Sequence, residues 1–527
     1  MHEFFYTIVA SHDVSGCAIK PFPRTPKSNN GYDDPSGSKH LSEKLFEISL
    51  QRFQAFGYPW TGAELILWQF VRNSSKGTAS GHDRVGRKTW KGFGYFEGFT
   101  PVMALSDPDI LRNVLVKDFD NFKSRKPFPL APRRALGLFL ENGHQWKRSR
   151  TLLTPAFSTG KLKQMFNIMN SSVDFLVANL EKQCESGKPF DVYSKFQSLT
   201  LDVIGRCAFG LQTNAQTDPN DPFMTNIGIL FNTLSKTIIL PLCMLFPFLQ
   251  YFIFFLKNLV IIFGSNPVVW LRDQMREIIK IRTDMGPNSN IVDLVQLMLF
   301  STPRGDEKPL TGREIVAQSM TFLLAGYETS SAVLGYLGHL LAGNSHVQNR
   351  LIQEIDKRLG DGEIDYRMVQ NMPYFEMVFN EVCRLYPTAS LIVTRRASKT
   401  KHYNGVTIPA GMAVQANVWA LHHDKDFWEN PDTFDPERFS TDNKVNRKPY
   451  SFLPFGAGPR SCIGMRFAMV ETKVAIARVL QKFKFKPVKT GENSLSLECR
   501  GAIVPKNGVQ VILVNRKSPI HRDSQQS

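Results

Sequence analysis

The residues with the most chemical potential lie in Ser451-Phe452-Leu453-Pro454-Phe455-Gly456-Ala457-Gly458-Pro459-Arg460-Ser461-Cys462-Ile463-Gly464. One cysteine closes a glycine-rich loop, and the apolar-periodic run 465–480 that follows predicts a helix. Cys462 then stands where the N–H groups of the next turn and the positive end of the helix dipole converge. Both are expected to lower its pKa and favour thiolate. The flanking glycines let something large and flat approach the backbone. A thiolate so placed suits an axial ligand for haem iron. The other reading of a single cysteine is a small buried apolar residue.

A second constellation sits inside a predicted long helix over 311–341. Thr311 and Glu314 form a capping box at its start, and Gly343-Asn344 ends it. Its middle reads Ala325-Gly326-Tyr327-Glu328-Thr329-Ser330. That is a poor helix interior, because Gly costs about 1 kcal/mol relative to Ala and Thr can bond back to a carbonyl. Either the segment is a packing kink, or it is a notch where a small molecule sits beside an acid and a hydroxyl able to relay protons. Elsewhere, Glu381 and Arg384 share one face of a helix that starts near Pro373 and stops at Pro387; such a pair is ordinarily a solvated bridge. Trp146 and Arg150, at i and i+4, place an indole N–H and a guanidinium on one face, where a solvated face is the alternative.

The elements that carry these residues are mostly helical. Helical periodicity dominates from Asp107 onward, preceded by two short strands around a turn within 94–105. The first 90 residues are polar and rich in turn formers, and no apolar run there reaches the length of a signal peptide or anchor. The most apolar stretch, 238–256, contains Pro241 and Pro247 and reads as a surface segment dipping into a membrane, with buried core and a true span as alternatives. The chain has 527 residues, enough for one large domain or several small ones, and ordinary apolar content. Its seven cysteines are scattered with no C-x-x-C pair, so neither a disulfide framework nor a zinc knuckle is indicated. The net charge of +17 suits an anionic membrane surface or an acidic protein partner. Without a Lys/Arg block interleaved with aromatics, nucleic acid is not expected.

Phe455, Gly456, Gly458, Arg460, Cys462 and Gly464 stand as F-G-x-G-x-R-x-C-x-G, and this resembles the haem loop of the cytochrome P-450 family. Ala325-Gly326-Tyr327-Glu328-Thr329 resembles that family's A-G-x-[DE]-T, Glu381 and Arg384 its E-x-x-R, Pro436-Glu437-Arg438-Phe439 its P-E-R-F, and Trp146 and Arg150 its W-x-x-x-R. The resemblance covers roughly 93–514 and is nearest to the microsomal clan that oxidises drugs, steroids and fatty acids. It implies a mainly α fold with a small β-rich region, a single large domain over 91–515 enclosing haem b, a divergent segment over 1–90 and a polar tail over 516–527.

By the same resemblance Cys462 is the iron ligand, and Thr329 and Glu328 are the catalytic proton relay. Phe455, Gly456, Gly464, Ala325 and Gly326 lie against the cofactor. Trp146, Arg150, Arg460 and either Arg395 or Arg396, with Arg395 favoured, meet its propionates. Glu381, Arg384 and Arg438 form a structural ionic triad. Phe128, Phe322, Leu323, Ala325, Ala389 and Leu391 are substrate-facing candidates, each equally plausible as plain core. The implied reaction inserts one oxygen atom from O2 into a lipophilic xenobiotic, steroid or fatty acid, with electrons from NADPH through a partner cytochrome reductase and cytochrome b5 as a further partner. The implied place is the cytosolic face of the endoplasmic reticulum, with peripheral contact through 238–256. The family's N-terminal anchor and proline-rich hinge have no counterpart here beyond Pro59 and Trp60. A peroxide isomerase and a non-enzymatic haem or membrane-surface binder remain as alternative readings.

Overall fold

Two short strands open the described part of the chain, β1 (Gly92–Glu97) and β2 (Thr100–Leu105), paired antiparallel as predicted. The structure is a computed structural model, and it describes residues 91–516 apart from 98–99, 127, 129–136, most of 237–265, 288–292, 302–307, 361–363 and 490–494. The segment 1–90, the tail beyond Arg516 and, except for Cys243 and Leu249, the apolar stretch 238–256 lie outside the described residues. Among those described, no helix is long and apolar enough to cross a membrane.

The remaining strands are short. They are β3 (Phe190–Asp191), β4 (Thr394–Arg396), β5 (Lys401–Tyr403), β6 (Val406–Ile408), β7 (Ala413–Ala416), β8 (Phe483–Pro487), β9 (Leu497–Cys499), β10 (Ile503–Pro505) and β11 (Gln510–Asn515). One sheet has the order β1-β2-β7-β4, with β2 and β7 parallel and β4 antiparallel to β7, and a second has the order β3-β11-β8. Ribbons β5–β6 and β9–β10 complete the β-structure described. In β4 Thr394 and Arg395 are buried and Arg396 is exposed.

The helices that position the site are α1 (Gly143–Leu153), α2 (Thr159–Ser186), α3 (Val192–Phe209), α4 (Pro222–Lys236), α5 (Pro267–Met285), α6 (Gly312–Gly343), α7 (Ser345–Leu359), α8 (Pro373–Leu385) and α9 (Met465–Lys482). Helix α6 is the axis of the core. Thr311 and Glu314 make both bonds of the capping box at its start, and the Asn344 N–H donates to Leu340 O at its end. At 32 residues it runs about 48 Å. It is buried along nearly its whole length, including Ile315, Phe322, Leu323, Leu334, Leu337 and Leu341. Its glycines let α3 come close: a Cβ on Gly326 would lie 3.0 Å from Ile204, and one on Gly335 3.1 Å from Tyr193. Gly326 therefore has a packing reason of its own, on the α3 side of the helix.

Helix α8 begins with Pro373 and ends at Tyr386, as its prolines predict. Glu381 and Arg384 on it are both fully buried and joined by a two-pronged pair, Nε to Oε2 at 2.7 Å and Nη2 to Oε1 at 2.8 Å. Arg384 also donates to His422 O at 2.8 Å. The Asp435 N–H donates to Glu381 Oε1 at 3.0 Å, and Arg438 completes an ionic contact with that oxygen at 3.3 Å. Arg438 Nε makes no hydrogen bond, so its share of the triad is electrostatic. The cluster ties α8 to the segment leading to the cysteine loop.

Candidate active site

The cysteine loop is shaped by its own backbone. Gly456 and Gly458 take φ of +67° and +72°, a region that favours glycine. A Cβ on Gly458 would also collide with the Leu115 carbonyl, 2.0 Å away. The Cys462 N–H donates to Phe455 O at 3.0 Å, and the Phe455 ring stacks near-parallel on Phe379 at 6.2 Å. Gly464 caps α9, so the N–H groups of Gly464 and Met465 are aimed at the Cys462 sulfur, as expected from sequence.

The expected direction of the thiol pKa needs correction. Burial pushes the Cys462 thiol up, and the Gly464 and Met465 N–H groups together with Arg150 and Arg125 only partly oppose it. The residue has open surface on one side, but its sulfur sits amid the protein body, where the charged form is poorly solvated. A positive partner at the sulfur would remove that penalty, which is the position of a ligand that meets a metal ion.

Arginines gather around this loop. Arg150 Nη1 donates to Ser461 O at 2.9 Å. Arg460 donates to Lys123 O at 2.6 Å and Glu141 O at 2.7 Å, and its guanidinium lies 4.3 Å from the Trp146 ring centroid. Arg395 donates to Thr394 O at 2.8 Å, and its Nε is buried with no partner. Arg125 joins them: it donates to Ile392 O, its Nε is also orphaned, and it acts electrostatically on Cys462. Its isolation in sequence hid it, since its partner lies some 270 positions away.

Burial pulls Arg125 down to about 10 and Arg460 to about 9, and mutual repulsion adds to this at Arg460 and Arg395. Guanidinium nonetheless stays charged at neutral pH. Among the described residues none of the four forms an ion pair with a carboxylate. Two buried arginines, Arg395 and Arg460, and two half-buried ones, Arg125 and Arg150, with unused Nε donors on Arg125 and Arg395 and no acid paired with any of the four, mark a place for a ligand's carboxylates.

The opposite end of the site is apolar. A cavity between α6, α8, α9 and the loop is lined by Val333, Phe379, Pro387, Phe455 and Ala468, with the hydroxyls of Thr329, Ser330, Thr388 and Thr472. Ala325, midway along α6, is exposed. Thr329 Oγ1 donates to Ala325 O at 2.6 Å, the back-bond foreseen for this helix interior. The arrangement fits a flat, largely apolar group with carboxylates on one edge and a metal for Cys462, which describes haem b.

Glu328 is placed differently from its neighbour. It is 2% exposed, accepts from the Tyr193 hydroxyl of α3 at 3.3 Å and feels Arg500 of the β9–β10 turn. Burial pushes its carboxyl up to about 7. Of the substrate-facing candidates, Phe322 packs against Phe157 at 5.5 Å, and Leu323, 1% exposed, is enclosed in the core and faces no open space. Ala389 is half-buried, and Phe128 and Leu391 are exposed.

Comparison with known proteins agrees with this geometry. The family model described as "Cytochrome P450" matches residues 59–513. Cytochrome P450 3A28 of Bos taurus is 38% identical over 82% of this chain and 85% of its own length. Cytochrome P450 3A9 of Rattus norvegicus is 37% identical over 82% and 87%, and cytochrome P450 3A56 of Fundulus heteroclitus 36% identical over 82% and 87%. With the matched span running through the cysteine loop, the arginine cluster and the α6 notch, the chain belongs to the cytochrome P450 family of haem-dependent monooxygenases.

Proposed function

We propose that Cys462 is the sulfur ligand of haem b and that this chain oxidises lipophilic xenobiotics or steroids at the endoplasmic reticulum membrane, with 91–515 as its haem domain. The single observation that carries the site assignment is the meeting, at one loop, of a thiol addressed by two helix N–H groups and four arginines without acidic partners. As in other members of the family, O2 is the oxidant and NADPH the electron source through a reductase.

When bound, haem supplies the redox chemistry that activates O2 and inserts one of its atoms into a C–H bond. The chain's residues do the rest. Cys462 presents sulfur to the metal, and the Gly464 and Met465 N–H groups hold that sulfur's charge. Arg125, Arg150, Arg395 and Arg460 hold the carboxylate edge, with Trp146 stacked behind Arg460. Val333, Phe379 and Phe455 receive the apolar edge. Thr329, next to the exposed Ala325, stabilises and passes protons on the oxygen side. Phe128, Ala389 and Leu391 offer apolar surface to substrate. Membrane contact through 238–256 and cytochrome b5 as a second electron donor are parts of the same proposal, supported by the apolar stretch and by the net charge of +17.

The test is Cys462→Ser. Wild-type protein, reduced and treated with carbon monoxide, should show the red-shifted absorption that sulfur ligation produces, and the variant should lose it. Retention of that band by the variant would overturn the assignment.

A further inference from the structure

His422 is a fully buried imidazole outside both the arginine cluster and the apolar cavity. It ends a short helix, Val418–His422, on the stretch between β7 and the cysteine loop. Both ring nitrogens are bonded. Nδ1 lies 3.3 Å from Arg384 O, which can only accept, and Nε2 lies 2.9 Å from the Leu453 N–H, which can only donate. These two partners fix one form of the ring: neutral, with its proton on Nδ1. The link to Arg384 runs both ways, since the Arg384 guanidinium donates to His422 O at 2.8 Å.

The Leu453 end of this link is the start of the cysteine loop. Leu453 O accepts from the Gly456 N–H at 3.1 Å, and Phe455 O accepts from the Cys462 N–H at 3.0 Å. A turn anchored at Leu453 therefore passes directly into the residues that hold the Cys462 backbone. Arg150 and Arg395 also bond the loop backbone, at Ser461 O and Ala457 O, but they belong to the carboxylate-binding cluster. His422 instead fastens the loop to the fully buried Glu381–Arg384 pair. The surroundings of the ring disfavour a charge on it. Burial holds His422 well below the ordinary histidine range, and His423 beside it and Arg384 of α8 add to this, opposed only in part by the Arg384 and Cys383 backbone. Glu381 lies beyond Arg384 and is bonded to that guanidinium. On the loop side the Phe452 ring packs at 5.2 Å, with Arg447 beyond it. A proton on Nε2 would face the Leu453 N–H donor to donor.

We propose that His422 is a positioning residue for Cys462, a neutral imidazole that clamps the cysteine loop to the Glu381–Arg384 pair and so holds the sulfur within reach of the metal. This rests on the haem-thiolate reading above. The clamp is intact while Nε2 carries no proton. With the loop released, His422 meets water and titrates near its ordinary value of about 6.5. A base held below that value in the clamped state contributes stability that is complete above about pH 6.5 and is lost as pH falls below it, by about tenfold in the clamped-to-released ratio per pH unit.

The experiment compares wild type, His422→Gln and His422→Phe as haem-loaded full chains. Total haem is measured as its pyridine adduct, which does not depend on the sulfur ligand. The share of ferrous carbonyl adduct with the red-shifted, sulfur-ligated band is then read from about pH 7.5 down to about pH 5. The Gln amide can accept from the Leu453 N–H and donate to Arg384 O, yet takes up no proton; Phe fills the space and does neither. At about pH 7.5 His422→Gln should keep a red-shifted share within about twofold of wild type, and His422→Phe should lose roughly fivefold or more at equal haem content. Below about pH 6.5 the shifted-to-unshifted ratio of wild type should fall behind that of His422→Gln by about tenfold per pH unit. If His422→Phe takes up no haem, the acid comparison of wild type with His422→Gln decides by itself. A wild-type share in His422→Phe, no recovery in His422→Gln, or parallel acid profiles in wild type and His422→Gln would each overturn the clamp. Absence of the red-shifted band in wild type at about pH 7.5 would instead overturn the haem-thiolate reading beneath it.

Discussion

Glu328 and Thr329 are adjacent in sequence but serve different faces of α6. Thr329 bonds back to Ala325 O at 2.6 Å, on the side that borders the apolar cavity, whereas Glu328 accepts from Tyr193 at 3.3 Å inside the α3 contact. A direct hand-over between the two side chains would need Glu328 to leave its buried partners. Their substitutions should therefore differ in kind.

Thr329→Ala should keep haem and substrate binding but divert NADPH-derived electrons to peroxide, lowering product per NADPH by roughly tenfold. Tyr193→Phe, which frees Glu328 from its phenolic donor, should shift the pH profile of turnover upward, because the lost hydrogen bond had favoured the carboxylate. Measurement of peroxide yield and of rate against pH for both variants checks this. A profile unmoved in Tyr193→Phe would show that Glu328 takes no part in turnover.

The arginine cluster makes a second prediction. Arg395 and Arg125 each have an orphaned, buried Nε, so each has a donor in reserve for a carboxylate. Arg395→Leu or Arg125→Leu should weaken haem retention by about 2 kcal/mol, or roughly thirtyfold. Haem transfer to apomyoglobin, followed by the Soret band, reads the loss rate. Arg396→Leu should change nothing, since Arg396 is on the solvent side of β4.

Which parts of this were legible in advance follows from how local the determinants are. The capping box of α6, the proline-bounded α8 and the glycine loop ending at Cys462 are written within a few residues each, and the structure has them where the sequence put them. That Arg395 is buried and Arg396 exposed depends on how β4 packs beside β7, which the three residues read alone do not report. Arg125 could be found only through contacts hundreds of positions away. The Cys462 pKa was misjudged because helix N–H groups are a local signal and burial is not. Within the predicted helix over 465–480, the polar residues Glu471, Thr472 and Lys473 are all at most 1% exposed. Burial of these residues is set by α2, α6 and α7 packing on α9 and, for Lys473, by its ion pair with Glu376 of α8, which no periodicity reports.

The triad yields a stability prediction. Glu381 and Arg384 are both fully buried, with Arg438 in the same cluster. Glu381→Gln leaves Arg384 without its countercharge in a place water does not reach. It should cost about 3–5 kcal/mol, seen as a lower denaturation midpoint and reduced recovery of haem protein. Arg438→Leu should cost clearly less, because its Nε makes no hydrogen bond and its side chain is partly exposed.

Glu141 provides a pH-dependent test. It is fully buried in the loop before α1, where its Oε1 accepts from Gln318 of α6 at 3.0 Å and its Oε2 has no partner. Burial pushes its carboxyl up to about 7, above the ordinary value that it recovers on unfolding. A folded-state pKa raised in this way contributes stability that is complete below the unfolded value and is lost as pH rises through about 7. Glu141→Gln can still accept from Gln318 but cannot ionise. The wild type should match the variant at about pH 4.5 and fall behind it progressively to about pH 8, by at most about 3 kcal/mol. Urea midpoints of the haem-loaded proteins across that range read the difference. A gap that is constant with pH would mean that Glu141 stays neutral or is solvated throughout, and a gap that closes as pH rises would mean that its charged form is the stabilising one, held by the nearby Arg460 whose Nη2 donates to the Glu141 carbonyl at 2.7 Å.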